Sequence, residues 1–185
     1  MIKLIKIDIK EFEEKIYEEY IKLFPEEEQR DWENIKNSYN KGIEKFYKIV
    51  KNNTIIGFIM LEKICDTYPY YMDYFAIFKR YQNKGYGTQA IKQLLIEIGS
   101  NQELFIEIEK EEESNYITMK RAKFYERLGF KKVKSEYLLY GILYTPYIYT
   151  KNDNVNKKRV DKIMFDYYII NCGKEAVQNN CKLII

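Results

Sequence analysis

RYQNKGYGTQAI, residues 80–91, decides how the chain is read. Before it stands YYMDYFAIF, strongly strand-forming, and after it IKQLLIEIG, with apolar residues at helical spacing. Gly85 and Gly87 fall at the junction, in a chain that has only eight glycines. The first N–H groups of a helix have no partner within it, and the helix dipole adds partial positive charge there. Glycine lets an anion approach that backbone closely, and Lys84 and Arg80 add positive charge beside it. The turn suits a phosphate-bearing ligand, or else it is only a tight strand-to-helix connection. It is no GxxxxGK[ST] loop. A GxGxxG reading meets Ala90 at the third glycine; Glu107 stands near the distance of a ribose-binding acid, so a dinucleotide fold is demoted rather than excluded.

Working outward, ELFIEIE (103–109) is a strand, so the segment is a β-α-β unit whose strands should run parallel with a right-handed crossover. Upstream, IKLIKIDI (2–9) alternates as a strand. From Glu11, Phe12, Ile16, Tyr20 and Leu23 recur at helical spacing, and a second helix is expected to start at Pro25, carry Trp32 and Ile35 inward, and stop before Gly42. EKFYKIV and TIIGFIMLEK form a hairpin around Lys51-Asn52-Asn53. Downstream, ITMKRAKFYERLG is a helix with Gly129 past its end. FKKVKSEYLL and LYTPYIYT are strands, the second placed at an edge or bulge by Pro146. The expected class is α/β of the α+β type: a mixed, mostly antiparallel sheet with one parallel pair, helices on both faces, and a C-terminal helical extension. KNDNVNKK (151–158) reads as a linker. Val160, Ile163, Met164 and Tyr167 then mark an amphipathic helix, packed on the domain or on a partner subunit of a homodimer, and the closing KLII needs cover in either case.

Composition limits the chemistry. With 185 residues, 46% hydrophobic and 32% charged, the chain can bury a substantial core. A net charge of +3 without a long basic block gives no case for nucleic acid, and no apolar run approaches a membrane span. MIKLIKIDIK does not resemble a signal peptide, and the three cysteines, Cys65, Cys172 and Cys181, have no CxxC spacing, so a cytoplasmic protein with reduced thiols and no metal site is expected. There is no histidine, which removes Ser-His-Asp and Cys-His mechanisms; proton transfer must use carboxylates, tyrosine, lysine, cysteine or water.

Gln82-Asn83-Lys84-Gly85-Tyr86-Gly87, a Q-x-x-G-x-G run entering a helix, resembles the acyl-CoA motif of the GNAT superfamily of N-acetyltransferases. RAKFYERLGF, Arg121 to Phe130, is similar to that family's later A-x-x-[FL]-Y-x-[KR]-x-G-F helix, in the expected order and spacing. The resemblance covers residues 1–150; residues 151–185 lie outside the common core. It implies transfer of an acetyl group from acetyl-CoA to a primary amine of a small molecule or peptide. The backbone of Gln82, Asn83, Lys84, Gly85, Tyr86, Gly87 and Thr88 would hold the CoA pyrophosphate. Ala76, Ile77 and Phe78 would meet the pantetheine arm by main chain, and the parallel strands would splay to admit the thioester. Thr118 stands where many members have an asparagine to the cofactor arm, and Arg121 lies on the same helix face. Tyr125 matches the tyrosine that protonates the departing thiolate. The alternative is an acyl-CoA-binding sensor on the same fold, without catalysis.

The attacking amine must be neutral, so a base is needed. Asp73 in the middle of an apolar, aromatic strand runs against strand propensity and falls where several family members place a catalytic acid, although an ion-paired structural Asp fits as well. Glu62 and Glu107 are reserves, and water can relay. PEEEQRDWE and the tyrosines Tyr68, Tyr70, Tyr71, Tyr144 and Tyr147 are consistent with a cationic acceptor without identifying one.

Overall fold

The computed structural model describes all 185 residues. The chain divides into two compact units. The first comprises residues 1–64 and 72–100; the second comprises residues 65–71 and 101–185.

In the first unit, β1 (Lys3–Ile7), β2 (Glu44–Lys51), β3 (Thr54–Glu62) and β4 (Tyr70–Ile77, from Met72 onward) lie side by side in that order. β1 and β2 are antiparallel, as are β2 and β3, whose hairpin turns at Asn52 and Asn53 with φ of 47° and 61°. Asparagine tolerates this left-handed region better than most residues, and such turns match the twist of the strands. Gly57 in β3 has a different role. A Cβ there would lie 2.3 Å from the Ala76 carbonyl oxygen and 3.1 Å from Ile77 Cα, so only glycine lets the β4 backbone come this close.

Three helices precede the hairpin: α1 (Ile9–Lys15), α2 (Tyr17–Leu23) and α3 (Trp32–Asn40). The helix expected from Glu11 is two, separated at Ile16 (φ −128°), with Phe12, Ile16 and Tyr20 all fully buried. The helix expected to start at Pro25 does not. Glu26–Glu28 make a 3₁₀ turn, Gln29 is extended, and α3 begins only after Asp31, whose carboxylate accepts from the N–H groups of Glu33 and Asn34. Three consecutive glutamates offer no apolar face, whereas Asp31 supplies a side-chain cap. Phe12, Tyr20, Ile35, Phe46, Phe58, Tyr74 and Phe78 form the aromatic-rich core of this unit. β4 leads through a 3₁₀ turn at Lys79–Tyr81 into α4 (Tyr86–Ile98).

In the second unit, β5 (Leu104–Glu109) pairs with the start of β4 in parallel, through Tyr70↔Leu104 and Tyr71↔Phe105 only. α5 (Tyr116–Arg127) follows, then β6 (Lys131–Lys132), β7 (Tyr137–Leu139) and β8 (Ile142–Tyr149). β8 runs antiparallel to β5 on one side and to β6 and β7 on the other. Pro146 is therefore interior, not at an edge. Its carbonyl accepts from Val133 N at 3.0 Å, so its nitrogen faces the break between β6 and β7, where no donor is required.

The tail forms α6 (Lys157–Cys172), α7 (Lys174–Asn180) and β9 (Cys181–Leu183). Val160, Ile163, Met164 and Tyr167 are buried, as their spacing predicts. The final strand was not foreseen. β9 pairs with β7 and Ile184 N donates to the Glu136 carbonyl, which gives part of KLII a backbone partner. The fold is thus mixed α/β, with a mostly antiparallel central sheet and the parallel pair β4–β5. No helix is long and apolar enough to cross a membrane.

Candidate functional site

The glycine turn has the geometry of an open helix start. Asn83 and Gly85 take positive φ, 60° and 76°, and Gly85 is the N-cap of α4 in the left-handed region. Nothing lies within 4 Å of where a Gly85 Cβ would be, so glycine is required by the backbone rather than by crowding. No side chain caps this terminus, and the first intrahelical bond is Gln89 N to the Gly85 carbonyl. The N–H groups of Tyr86, Gly87 and Thr88 therefore precede the first helical acceptor. Gly87 has no side chain to screen them. The fit to a pyrophosphate is in this exposed, uncapped N–H array at the positive end of a 13-residue helix. Lys84 Nζ reaches back to the Arg80 carbonyl at 3.0 Å, and the Tyr86 hydroxyl meets the Lys51 ammonium, which also lies 4.5 Å from its ring.

The end of β4 carries the neighbouring groups. Phe78 N donates to the Ile56 carbonyl of β3, so that N–H is already used. By strand alternation the polar groups of Ile77 face away from β3, and the Ile77 carbonyl accepts Gln82 Nε2 at 2.8 Å. The Ala76 carbonyl points toward Gly57. Of the three residues expected to meet a pantetheine arm, Ile77 is the one whose N–H faces that outer edge.

Asp73 sits in a charged node that the sequence does not announce. Arg30 Nη1 lies 2.7 Å from one oxygen each of Glu44, Glu62 and Asp73, and Arg30 Nη2 lies 3.1 Å from Ser38 Oγ. The side chains of Glu44 and Glu62 are 0% exposed, Arg30 8% and Asp73 10%. Arg30 N donates to the hydroxyls of Tyr20 and Tyr74, and the Tyr74 hydroxyl donates to the Glu28 carbonyl. The three carboxylates converge to within 4.8 Å, a spacing that could hold a metal ion, but the guanidinium stands at their focus and the donor set fits it. Burial, above all, pushes the Glu44 carboxyl well above the ordinary range, against the pull of Arg30 and with the repulsion of Glu62 and Asp73. Burial opposes the charge on Arg30, but the three carboxylates outweigh it and hold the guanidinium protonated. The only sequence signal for Arg30 was its place in PEEEQRDWE, where it reads as surface charge.

In the second unit, Tyr125 on α5 is 7% exposed. Burial raises its hydroxyl above a phenol's ordinary value, Arg121 opposes this, and the charge of Glu107 raises it further. The hydroxyl stays protonated at neutral pH and can only give a proton there. Thr118 is buried at the start of the same helix. Its hydroxyl donates to the Asn115 carbonyl at 2.9 Å and accepts from Glu112 N at 3.2 Å, a capping role next to Asn115, the N-cap. Arg121 is half exposed and pairs with Glu109 at 2.7 Å. Glu107, on β5, accepts the hydroxyls of Tyr71 and Tyr168, the latter at 2.9 Å. Cys65 is exposed and bonds Thr67 Oγ1 at 3.2 Å, and none of the three cysteines is in a disulfide.

A mixed sheet with one short parallel pair, a glycine turn opening a helix after its first strand and a tyrosine-bearing helix after its second describes the class of GNAT-fold proteins. The model of the acetyltransferase (GNAT) domain family matches residues 42–132, and the chain carries that domain. A GNAT-family protein from Bacteroides thetaiotaomicron has a TM-score of 0.76 at 22% identity, covering 93% of this chain and 99% of that one. Arabidopsis thaliana NAA60 in complex with acetyl-CoA has a TM-score of 0.64 at 14% identity, covering 82% of this chain and 99% of that one. The ribosomal-protein-S18-alanine N-acetyltransferase of Escherichia coli has a TM-score of 0.61 at 16% identity, covering 84% and 99%. At these identities the likeness is one of fold. No curated protein matches the chain in sequence.

Proposed function

We propose that the protein transfers an acetyl group from acetyl-CoA directly to a primary amine of a small molecule or peptide. The observation that carries this is the uncapped start of α4 behind Gly85, within the matched acetyltransferase domain. The N–H groups of Tyr86, Gly87 and Thr88, with Gln82, Asn83, Lys84 and Gly85, hold the pyrophosphate. Bound acetyl-CoA supplies an activated thioester. Ile77 N–H, on the outer edge of β4, binds the thioester carbonyl oxygen and stabilises the charge that grows there. Tyr125 gives its proton to the leaving sulfur, and its raised pKa keeps it charged with that proton across the neutral range. Thr118 and Arg121 border the cofactor arm on the same helix.

A carboxylate takes the amine's proton. Asp73 fits by its place on β4, with Arg30 fixing its orientation. A second reading, Glu107, is favoured by its field at Tyr125 and by the two hydroxyls that hold it. None of the cysteines is needed, since transfer is direct.

Melting curves with acetyl-CoA, CoA, ATP and NAD test the donor site. At 100 times its dissociation constant a ligand adds about 2.7 kcal/mol, which for a chain of this size raises the melting temperature by roughly 5–10 °C. Shifts with acetyl-CoA and CoA alone support the reading; none with either removes it. Thiol release across an amine panel, repeated with Asp73→Asn and Glu107→Gln, identifies the acceptor and the base.

A further inference from the structure

α6 lies outside the region matched by the acetyltransferase family, residues 42–132, yet three consecutive residues of it reach β4 and β5 within the second unit. Asp166 accepts the Tyr68 hydroxyl, the Tyr167 hydroxyl donates to the Pro69 carbonyl at 2.6 Å, and the Tyr168 hydroxyl donates to Glu107 Oε1 at 2.9 Å. The same Glu107 oxygen accepts the Tyr71 hydroxyl. Tyr71 and Tyr167 also touch ring to ring, with centroids 4.9 Å apart. Two hydroxyls, one from β4 and one from α6, thus converge on one carboxylate oxygen in the middle of β5.

The first two staples can be read as anchorage. The third has a chemical consequence. A hydroxyl donating to a carboxylate favours its ionised form and limits its side-chain rotation. The groups that face Glu107 are Tyr71 of β4, Tyr168 of α6, and, through its charge, Tyr125 of α5 and Tyr137 of β7; β8 places Pro146 opposite it. None of these is a cation, so the ionised state of Glu107 leans on the two hydroxyls.

We infer that Tyr168 is a positioning residue for acetyl transfer: with Tyr71 it holds Glu107 ionised and oriented to accept the proton of a cationic amine, which makes the C-terminal helix part of the acceptor side. The inference rests on the proposed acetyltransferase function, in its Glu107 form. The alkylammonium gives one proton to Glu107, and the neutral amine attacks. The C–N bond forms, the C–S bond breaks, and Tyr125 protonates the sulfur. The second proton of the nitrogen restores Tyr125, so one proton in total passes through Glu107 to solvent.

The test uses the full chain with Tyr168→Phe, and Tyr167→Phe as a control that removes a neighbouring staple only. Three quantities are read: kcat/KM for an amine against pH, the melting shift with acetyl-CoA, and the titration midpoint of Glu107 followed by carbon NMR of the side-chain carboxyls, assigned with Glu107→Gln. For Tyr168→Phe, the Glu107 midpoint and the acid limb of kcat/KM should both rise by about one pH unit. The acetyl-CoA shift should stay unchanged, and Tyr167→Phe should alter neither pH midpoint. An unmoved Glu107 midpoint overturns the inference and leaves Tyr168 as a staple. A moved midpoint with an unmoved acid limb, or full turnover in Glu107→Gln, overturns the role of Glu107 as base and with it the catalytic part of the inference. If no amine is acetylated although acetyl-CoA binds, the proposed function itself has failed, which neither of those results would show.

Discussion

Replacing Arg30 by methionine should expose how the first unit keeps three carboxylates inside. The guanidinium bonds Glu44, Glu62 and Asp73 at 2.7 Å each, and none of the three is more than 10% exposed. Removing one partner of a buried ion pair costs about 3–5 kcal/mol, because the remaining charge has neither water nor counter-ion. A chain of this size loses about 2–4 °C of melting temperature per kcal/mol, so Arg30→Met should melt roughly 6–20 °C lower at neutral pH. The cost should depend on pH with a definite sign. Glu44 is already held protonated by burial in the wild type, and without Arg30 the other two carboxyls should also be driven above their ordinary values. An acid whose folded pKa lies above its unfolded one binds more protons in the folded state, so stability falls as pH rises between the two. The variant should therefore recover part of its deficit between pH 8 and pH 5. Glu44→Gln, a neutral isostere of an acid that is already neutral, should cost under about 1 kcal/mol. Calorimetric melting of the three proteins across that range is the assay. A deficit below 2 °C, or one that does not shrink toward pH 5, would refute the reasoning.

Tyr125→Phe should lower kcat at least about tenfold while leaving the acetyl-CoA melting shift within experimental scatter, since it removes a proton donor and no anion contact. Gly85→Ala should destabilise by about 1–2 kcal/mol from backbone strain at φ 76° alone, with open space around the new methyl, and should weaken acetyl-CoA binding, read as a smaller melting shift. Gly57→Ala should cost more, about 3 kcal/mol or beyond, because its methyl would meet the Ala76 carbonyl at 2.3 Å; denaturant unfolding ranks the two, and equal costs would contradict the geometry.

What was legible in the sequence was local. The Gly85–Gly87 turn, the Asn52–Asn53 hairpin, the cap past α5 at Gly129 and the buried stripe of α6 are each specified by residues within one turn or one face. What was not legible depends on partners far along the chain. Arg30 reads as one charge among several in PEEEQRDWE, and its three carboxylates lie 14, 32 and 43 residues away. Tyr168 is 61 residues from Glu107. β9 becomes a strand only because β7 offers it a free edge, and KLII alone has no alternation to show it. The start of α3 was misplaced for a related reason. Proline followed by acids is a helix-start signal, but Arg30, tied to Tyr20 and Tyr74, holds the segment extended as far as Asp31.

The absence of histidine gives these long-range contacts a common meaning. Without it, no side chain in ordinary surroundings titrates near neutrality except a perturbed cysteine, so a proton-handling group has to be made from a carboxylate or a phenol. Unit one does this by burying three carboxylates against one guanidinium; the cation satisfies part of the charge, and burial raises Glu44 to absorb the remainder. In unit two, Tyr125 is buried until it can only donate, while Glu107 is surrounded by hydroxyls rather than cations, so it accepts hydrogen bonds without being neutralised. The two devices differ in what they leave available. A carboxylate fixed by a guanidinium is a poor proton acceptor, because the cation stabilises the charge that protonation would remove. One held by phenols keeps its charge at less cost to its basicity. On that argument Glu107→Gln should reduce kcat more than Asp73→Asn, and Asp73→Asn should reduce stability more than Glu107→Gln. Both orders can be read from the same pair of proteins, and a reversal of the first would assign the proton to Asp73 and make Arg30 the residue that positions the base.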